Sequence, residues 1–140
     1  MPFIHHQRLP IGIQSFEKLR KGRYYYVDKT PLIHTIAQTG GYYFLSRPRR
    51  FGKSLLLDTL RCLFESHEAL FEGLYIHDKW DWQNRYPVVR ISFSNGVVNS
   101  RQDLDANIRY QLQQQRASLG IEVTPPERIA DDFASLLENA

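Results

Sequence analysis

The chain of 140 residues is 42% hydrophobic, 13% aromatic and 24% charged, globular proportions for one domain that exclude disorder, collagen-like repeats and coiled coil. Eighteen Lys and Arg against fifteen Asp and Glu leave a net charge of +3, but residues 1–70 hold eleven basic and five acidic side chains, and residues 71–140 seven and ten. Four of the seven positions from Arg47 to Lys53 are cationic, a local cluster that points to one anionic ligand and not to a diffuse polyanion-binding face.

In chain order, Gln14 to Lys21 is predicted as a short helix stopped by Gly22, and Tyr24-Tyr25-Tyr26-Val27 as an aromatic, β-branched strand. Thr30-Pro31 supplies an N-cap and a proline at N1 for a helix that reaches Thr39 before Gly40-Gly41. Tyr42-Tyr43-Phe44-Leu45 is short, uncharged and without alternation, the pattern of a strand covered on both faces. A basic turn, Ser46 to Ser54, leads into Leu56, Leu60, Leu63 and Phe64, whose spacing predicts a helix from about Lys53 to Ser66. Leu70 to Leu74 reads as a helix end and turn, and His77 to Tyr86 as loop. Val89, Ile91 and Phe93 alternate with Arg90, Ser92 and Ser94, so Val88–Ser94 is expected to be a half-buried strand. Ser100 with Asp103 caps a helix carrying Leu104, Ile108 and Leu112 as far as Gly120. Thr124-Pro125-Pro126-Glu127 reads as the start of a last helix, lined by Ile129, Phe133, Leu136 and Leu137.

Chemistry concentrates at Gly52-Lys53-Ser54, between a predicted buried strand and a predicted helix. A phosphate needs several backbone N–H donors aimed into one concavity, and a helix N-terminus supplies them with its partial positive charge. Gly52 has no Cβ to block that approach. Lys53 would reach the β- and γ-phosphates, and the Ser54 hydroxyl would coordinate magnesium. The general pattern has glycine five residues before Gly52, where this chain has Arg47. On these residues alone, a basic turn ahead of an amphipathic helix is the competing reading.

The string Ser46-Arg47-Pro48-Arg49-Arg50-Phe51-Gly52-Lys53-Ser54 resembles the phosphate loop of the AAA-ATPase-like family of bacterial proteins, in which arginines occupy this part of the loop. The resemblance extends back through Leu9-Pro10-Ile11-Gly12-Ile13, Phe16, Leu19-Arg20 and Tyr24 to Thr30. Forwards it takes in Leu70 to Leu74, Tyr86-Pro87-Val88-Val89 and Ser92-Phe93, and beyond residue 94 it is loose. It implies an α/β, P-loop NTPase-like sheet with flanking helices, incomplete here, with residues 1–140 the N-terminal part of a single ATPase domain. It also implies ATP and Mg2+ as ligands, with Gly52, Lys53 and Ser54 carried over by position onto phosphate and metal, Ser54 on the metal; Arg47, Arg49, Arg50, Phe51 and Leu55 complete the expected binding site. Family members usually continue into a region similar to PD-(D/E)xK nucleases, and this chain shows no residues of that pattern. Asp28-Lys29-Thr30 matches the family without a role to attach to it.

Hydrolysis calls for a second carboxylate at the end of a hydrophobic strand. None is visible, since Asp131-Asp132 lies in a helical context and Val88–Ser94 ends without an acid. A doubly wound sheet has about five parallel strands, and only three candidates occur. The expectation is therefore an ATP-binding portion that does not turn over ATP alone. The rival class is a nucleic-acid-binding module gripping backbone phosphates with Arg47, Arg49, Arg50 and Lys53 beside Phe51; a third is a remnant without a ligand. His5-His6 reads as a solvated tail and Cys62 as a buried thiol. One cysteine, no apolar run of about eighteen residues and no secretory pattern predict a cytoplasmic protein without a membrane span.

Overall fold

A computed structural model describes residues 7–94, 96–122 and 124–140; His5 and His6 lie outside them. The chain divides into two compact units, one ending at Tyr86 and one starting at Pro87.

The first unit is built on three helices, α1 (Phe16–Lys21), α2 (Thr30–Thr39) and α3 (Lys53–Phe64), with a 3-10 turn over Glu68–Phe71. Ser15 caps α1 by accepting the Lys18 amide at 3.3 Å, so the helix starts two residues later than its apolar pattern suggests. Gly22 ends it because the Tyr24 ring folds back onto that position; a Cβ there would stand 2.4 Å from Tyr24 Cε2. α2 begins at Thr30 instead of being capped by it, since the carboxylate of Asp28 accepts the Thr30 amide at 2.8 Å. Phe16, Ile33, Cys62, Leu63, Leu70, Phe71 and Ile76 form the buried core, with Tyr26, Leu56, Leu60, Trp80 and Trp82 packed against it. Phe16 and Phe71 stack at 4.9 Å between ring centroids, and Phe71 meets Trp82 at 5.2 Å, offset geometries that aromatic quadrupoles favour.

The second unit pairs α4 (Arg101–Leu119) with α5 (Ile129–Asn139). Ser100 caps α4 by accepting the Asp103 amide at 3.1 Å, and Gly120 closes it in the left-handed region at φ 69°. α5 starts at Ile129, not at the Thr124-Pro125-Pro126-Glu127 string. Two successive prolines keep Thr124 and Pro125 out of helical backbone angles, which delays the first turn. Leu112, Leu136, Arg116 and Asp132 are its buried side chains.

The expected P-loop sheet does not form. Among the described residues the only β interaction is an isolated parallel bridge between Arg8 and Tyr24, so the described chain is helical and not an α/β doubly wound fold. A strand needs a neighbour to take its backbone N–H and C=O groups. Tyr42–Leu45 has none and is exposed throughout, Tyr42 and Phe44 almost fully. At Val88–Ser94 a side chain stands where a neighbouring strand would: Gln111 accepts the Ser92 amide at 2.7 Å and donates to the Ser92 carbonyl at 2.6 Å. Gln115 donates to the Arg90 carbonyl at 3.1 Å. Apolar alternation reports which face is covered, and it carries no information about a pairing partner.

Candidate functional site

Residues 47–55 run from an irregular segment into the first turn of α3. Gly52 sits at the N-cap with φ 78° and ψ 18°, a left-handed conformation that favours glycine, and its carbonyl accepts the Leu56 amide at 2.9 Å to start the helix. No side chain caps the helix, and the space over Gly52 is open, with no atom within 4 Å of where a Cβ would stand. The amides of α3's first turn thus face outward without a side-chain acceptor. Lys53 Nζ donates to the Arg47 carbonyl at 2.7 Å, closing the loop into a ring between its first and seventh residues. Arg50 is left-handed too, at φ 66°, a conformation that costs a non-glycine residue about 1–2 kcal/mol.

The side chains of Arg47, Arg49 and Arg50 are exposed and make no hydrogen bond or ion pair among the described residues. Phe51 is exposed, Ser54 is exposed with an unengaged hydroxyl, and Leu55 turns inward to pack on the core. Of the loop residues singled out from sequence, Lys53 is tied to Arg47 through its backbone carbonyl, and the three arginines are exposed in the segment that leads into the start of α3.

The carboxylates do not join them. Asp58 lies one turn after Ser54 but is 5% exposed, its Oδ2 accepting the Phe16 amide at 2.7 Å and its Oδ1 the Arg61 guanidinium at 3.0 Å. Asp78 pairs with Lys79, and Asp81 accepts the Gln83 amide. No three His, Cys, Asp or Glu side chains converge as a metal site among the described residues. Ser54 contributes one hydroxyl, well short of an octahedral magnesium shell.

Sequence reading missed a polar lock within the unit that carries the loop. Asp28 Oδ1 accepts the Thr30 hydroxyl at 2.6 Å and Oδ2 the Tyr75 amide at 2.8 Å, while Thr30 Oγ1 accepts the Ile76 amide at 3.2 Å. Arg20 adds bonds to the Leu70 and Glu72 carbonyls at 2.7 and 2.6 Å. Burial works to raise the Asp28 carboxyl, but the Thr30 hydroxyl and the Tyr75 and Thr30 amides outweigh it and hold it below the ordinary aspartate value. Asp28-Lys29-Thr30 is thus a structural clamp that fastens the start of α2 to residues 75–76. Its Asp-x-Thr spacing announces a cap; nothing local announces partners more than forty residues away. Burial pushes the Cys62 thiol up to about 11, so it is an inert core residue.

The family described as "Predicted AAA-ATPase" matches residues 10–140. The chain belongs to this AAA-ATPase-like family. A similar protein, "Uncharacterized protein in vnfD 5'region" of Azotobacter chroococcum mcd 1, is 52% identical over 135 residues, which is 96% of this chain and 26% of that protein. The AAA-ATPase-like chain therefore spans about a quarter of the length of that relative. No solved structure matches it. None of its helices, among the described residues, is long and apolar enough to cross a membrane.

Proposed function

We propose that this chain is the ATP-binding portion of a bacterial, cytoplasmic ATPase-like protein, and that residues 47–55 hold the phosphates. One observation carries the reading: Lys53 is drawn back onto the Arg47 carbonyl across an uncapped, glycine-initiated helix start. That ring leaves the N–H groups of α3's first turn for an anion, with the helix's partial positive charge behind them. Gly52 lets a phosphate oxygen come up to the backbone, and Lys53 exchanges its carbonyl for the β- or γ-phosphate. Membership of a family of predicted ATPases supports ATP as the source of that phosphate. Residues 1–140 are read as the N-terminal part of the ATPase region, ahead of the nuclease-like region that the resemblance implies for the whole protein.

The test is Lys53→Ala in calorimetric titration with ATP. A charge-assisted contact contributes about 1.5–3 kcal/mol, so the affinity is expected to fall roughly ten- to a hundredfold while circular dichroism stays unchanged. Equal affinity in the two proteins refutes the assignment.

A further inference from the structure

The loop carries more positive charge than its own protein neutralises. Arg47, Arg49 and Arg50 are exposed and unpaired, and Lys53 spends its donor on a neutral carbonyl. The acids that follow on α3 and just beyond it are committed elsewhere: Asp58 to Phe16 and Arg61, and Glu65 to Arg61 at 2.8 Å and His67 at 3.0 Å. Four cations in seven residues stand without a counter-charge among the described residues. A triphosphate brings roughly four negative charges once its terminal group, with a second pKa of about 6, is ionised.

In most phosphate-loop proteins magnesium neutralises much of that charge, held by the loop hydroxyl and a strand-end aspartate. Here Ser54 supplies the hydroxyl and, among the described residues, no carboxylate stands ready beside it, so the donor set does not fit magnesium, whereas three exposed, unpaired guanidinium groups in the same loop suit a polyphosphate. We infer that Arg47, Arg49 and Arg50 take over the neutralising work of the metal, and that this chain binds the metal-free polyphosphate at least as well as its magnesium chelate. The inference rests on residues 47–55 being the phosphate site. Its physical content is a sign: chelation removes about half the ligand's charge and so weakens its attraction to a cationic loop. Planar guanidinium groups suit the task, since each can grip two phosphate oxygens at once.

The experiment is calorimetric titration of the 140-residue chain with ATP at constant ionic strength, once with excess magnesium and once with EDTA. Inorganic tripolyphosphate serves as a competitor, and an Arg49→Gln/Arg50→Gln variant runs alongside. The expected result is an EDTA affinity equal to the magnesium affinity or up to about tenfold tighter. Tripolyphosphate should displace ATP, and the double variant should lose about tenfold or more in the EDTA arm and less in the magnesium arm. Binding seen only with magnesium overturns the inference and leaves the phosphate-loop reading standing. No ATP binding in either buffer removes that reading, and the inference with it. Should the double variant misfold, the competition in the unaltered chain decides, and failure of tripolyphosphate to displace ATP in EDTA counts against the inference.

Discussion

The two units bury a carboxylate each and pair it with an arginine, but they surround that pair with very different amounts of apolar core. In the unit ending at Tyr86, Asp58 sits against a core of seven buried apolar side chains, and its partners include a backbone amide 42 residues away and the part-exposed Arg61 guanidinium. In the unit from Pro87 onward, Asp132 faces Arg116, and these two charged residues share the interior with just Leu112 and Leu136 among the described buried residues. Arg116 Nη2 bonds Asp132 Oδ1 at 2.5 Å and the Asp132 carbonyl at 2.9 Å, while Nη1 is buried without a hydrogen-bond partner among the described residues. A large apolar core carries a buried, paired acid as one contact among many. A small one stakes its integrity on the pair, because neither charge can be left alone out of water.

The sharpest way to break this contrast is Arg116→Ala. Removing one partner of a buried ion pair costs about 3–5 kcal/mol, enough to melt α4 and α5, and the helical signal at 222 nm should fall. Trp80 and Trp82 both lie in the first unit, so tryptophan fluorescence should keep its native maximum. The combined change Arg116→Met and Asp132→Leu should recover the lost helicity, since an apolar pair avoids desolvation altogether. Full helicity in Arg116→Ala alone would show that the pair does not hold the unit.

A smaller effect is expected from Asp58→Ala. The Phe16 amide loses its acceptor inside the core, and an orphaned buried donor costs about 1–3 kcal/mol. The tryptophan-detected midpoint in urea should shift accordingly, with the second unit's helicity unchanged. A shift within error would mean that water reaches the Phe16 amide.

The smallest effect concerns Asp28, and it is conditional on pH. Its folded pKa is depressed from 3.8, so its contribution is fully present above that value and disappears as pH falls through the lower folded one. The melting temperature of the unaltered chain should exceed that of Asp28→Asn at pH 7, and the gap should close on acidification below about pH 3.8. A gap independent of pH would assign the clamp's strength to shape instead of charge.

What the sequence discloses follows from the range of each interaction. α2, α3 and α4 are legible because caps, proline and apolar spacing act within a few residues. The entry into α3 at Lys53 is legible for the same reason, whereas the left-handed angles of Gly52 emerge only in the structure. The sheet expectation fails because Tyr42–Leu45 and Val88–Ser94 satisfy every local criterion for a strand except the one that matters, a partner. The clamps from Arg20, Asp28 and Thr30 escape detection because they join residues about fifty positions apart, and single-chain periodicity is blind to such distances. Gln111 posing as a neighbouring strand for Ser92 is likewise a tertiary event written in an ordinary polar side chain.

The left-handed Arg50 carries a consequence for how this loop can change. Glycine would adopt φ 66° at no steric cost, so the easiest substitution for the backbone is the one that strips a positive charge from the loop. Under the phosphate role proposed for the loop, stability and ligand affinity pull this single position in opposite directions. A library selected for heat resistance would drift toward glycine there, and one selected for grip on phosphate would drift back.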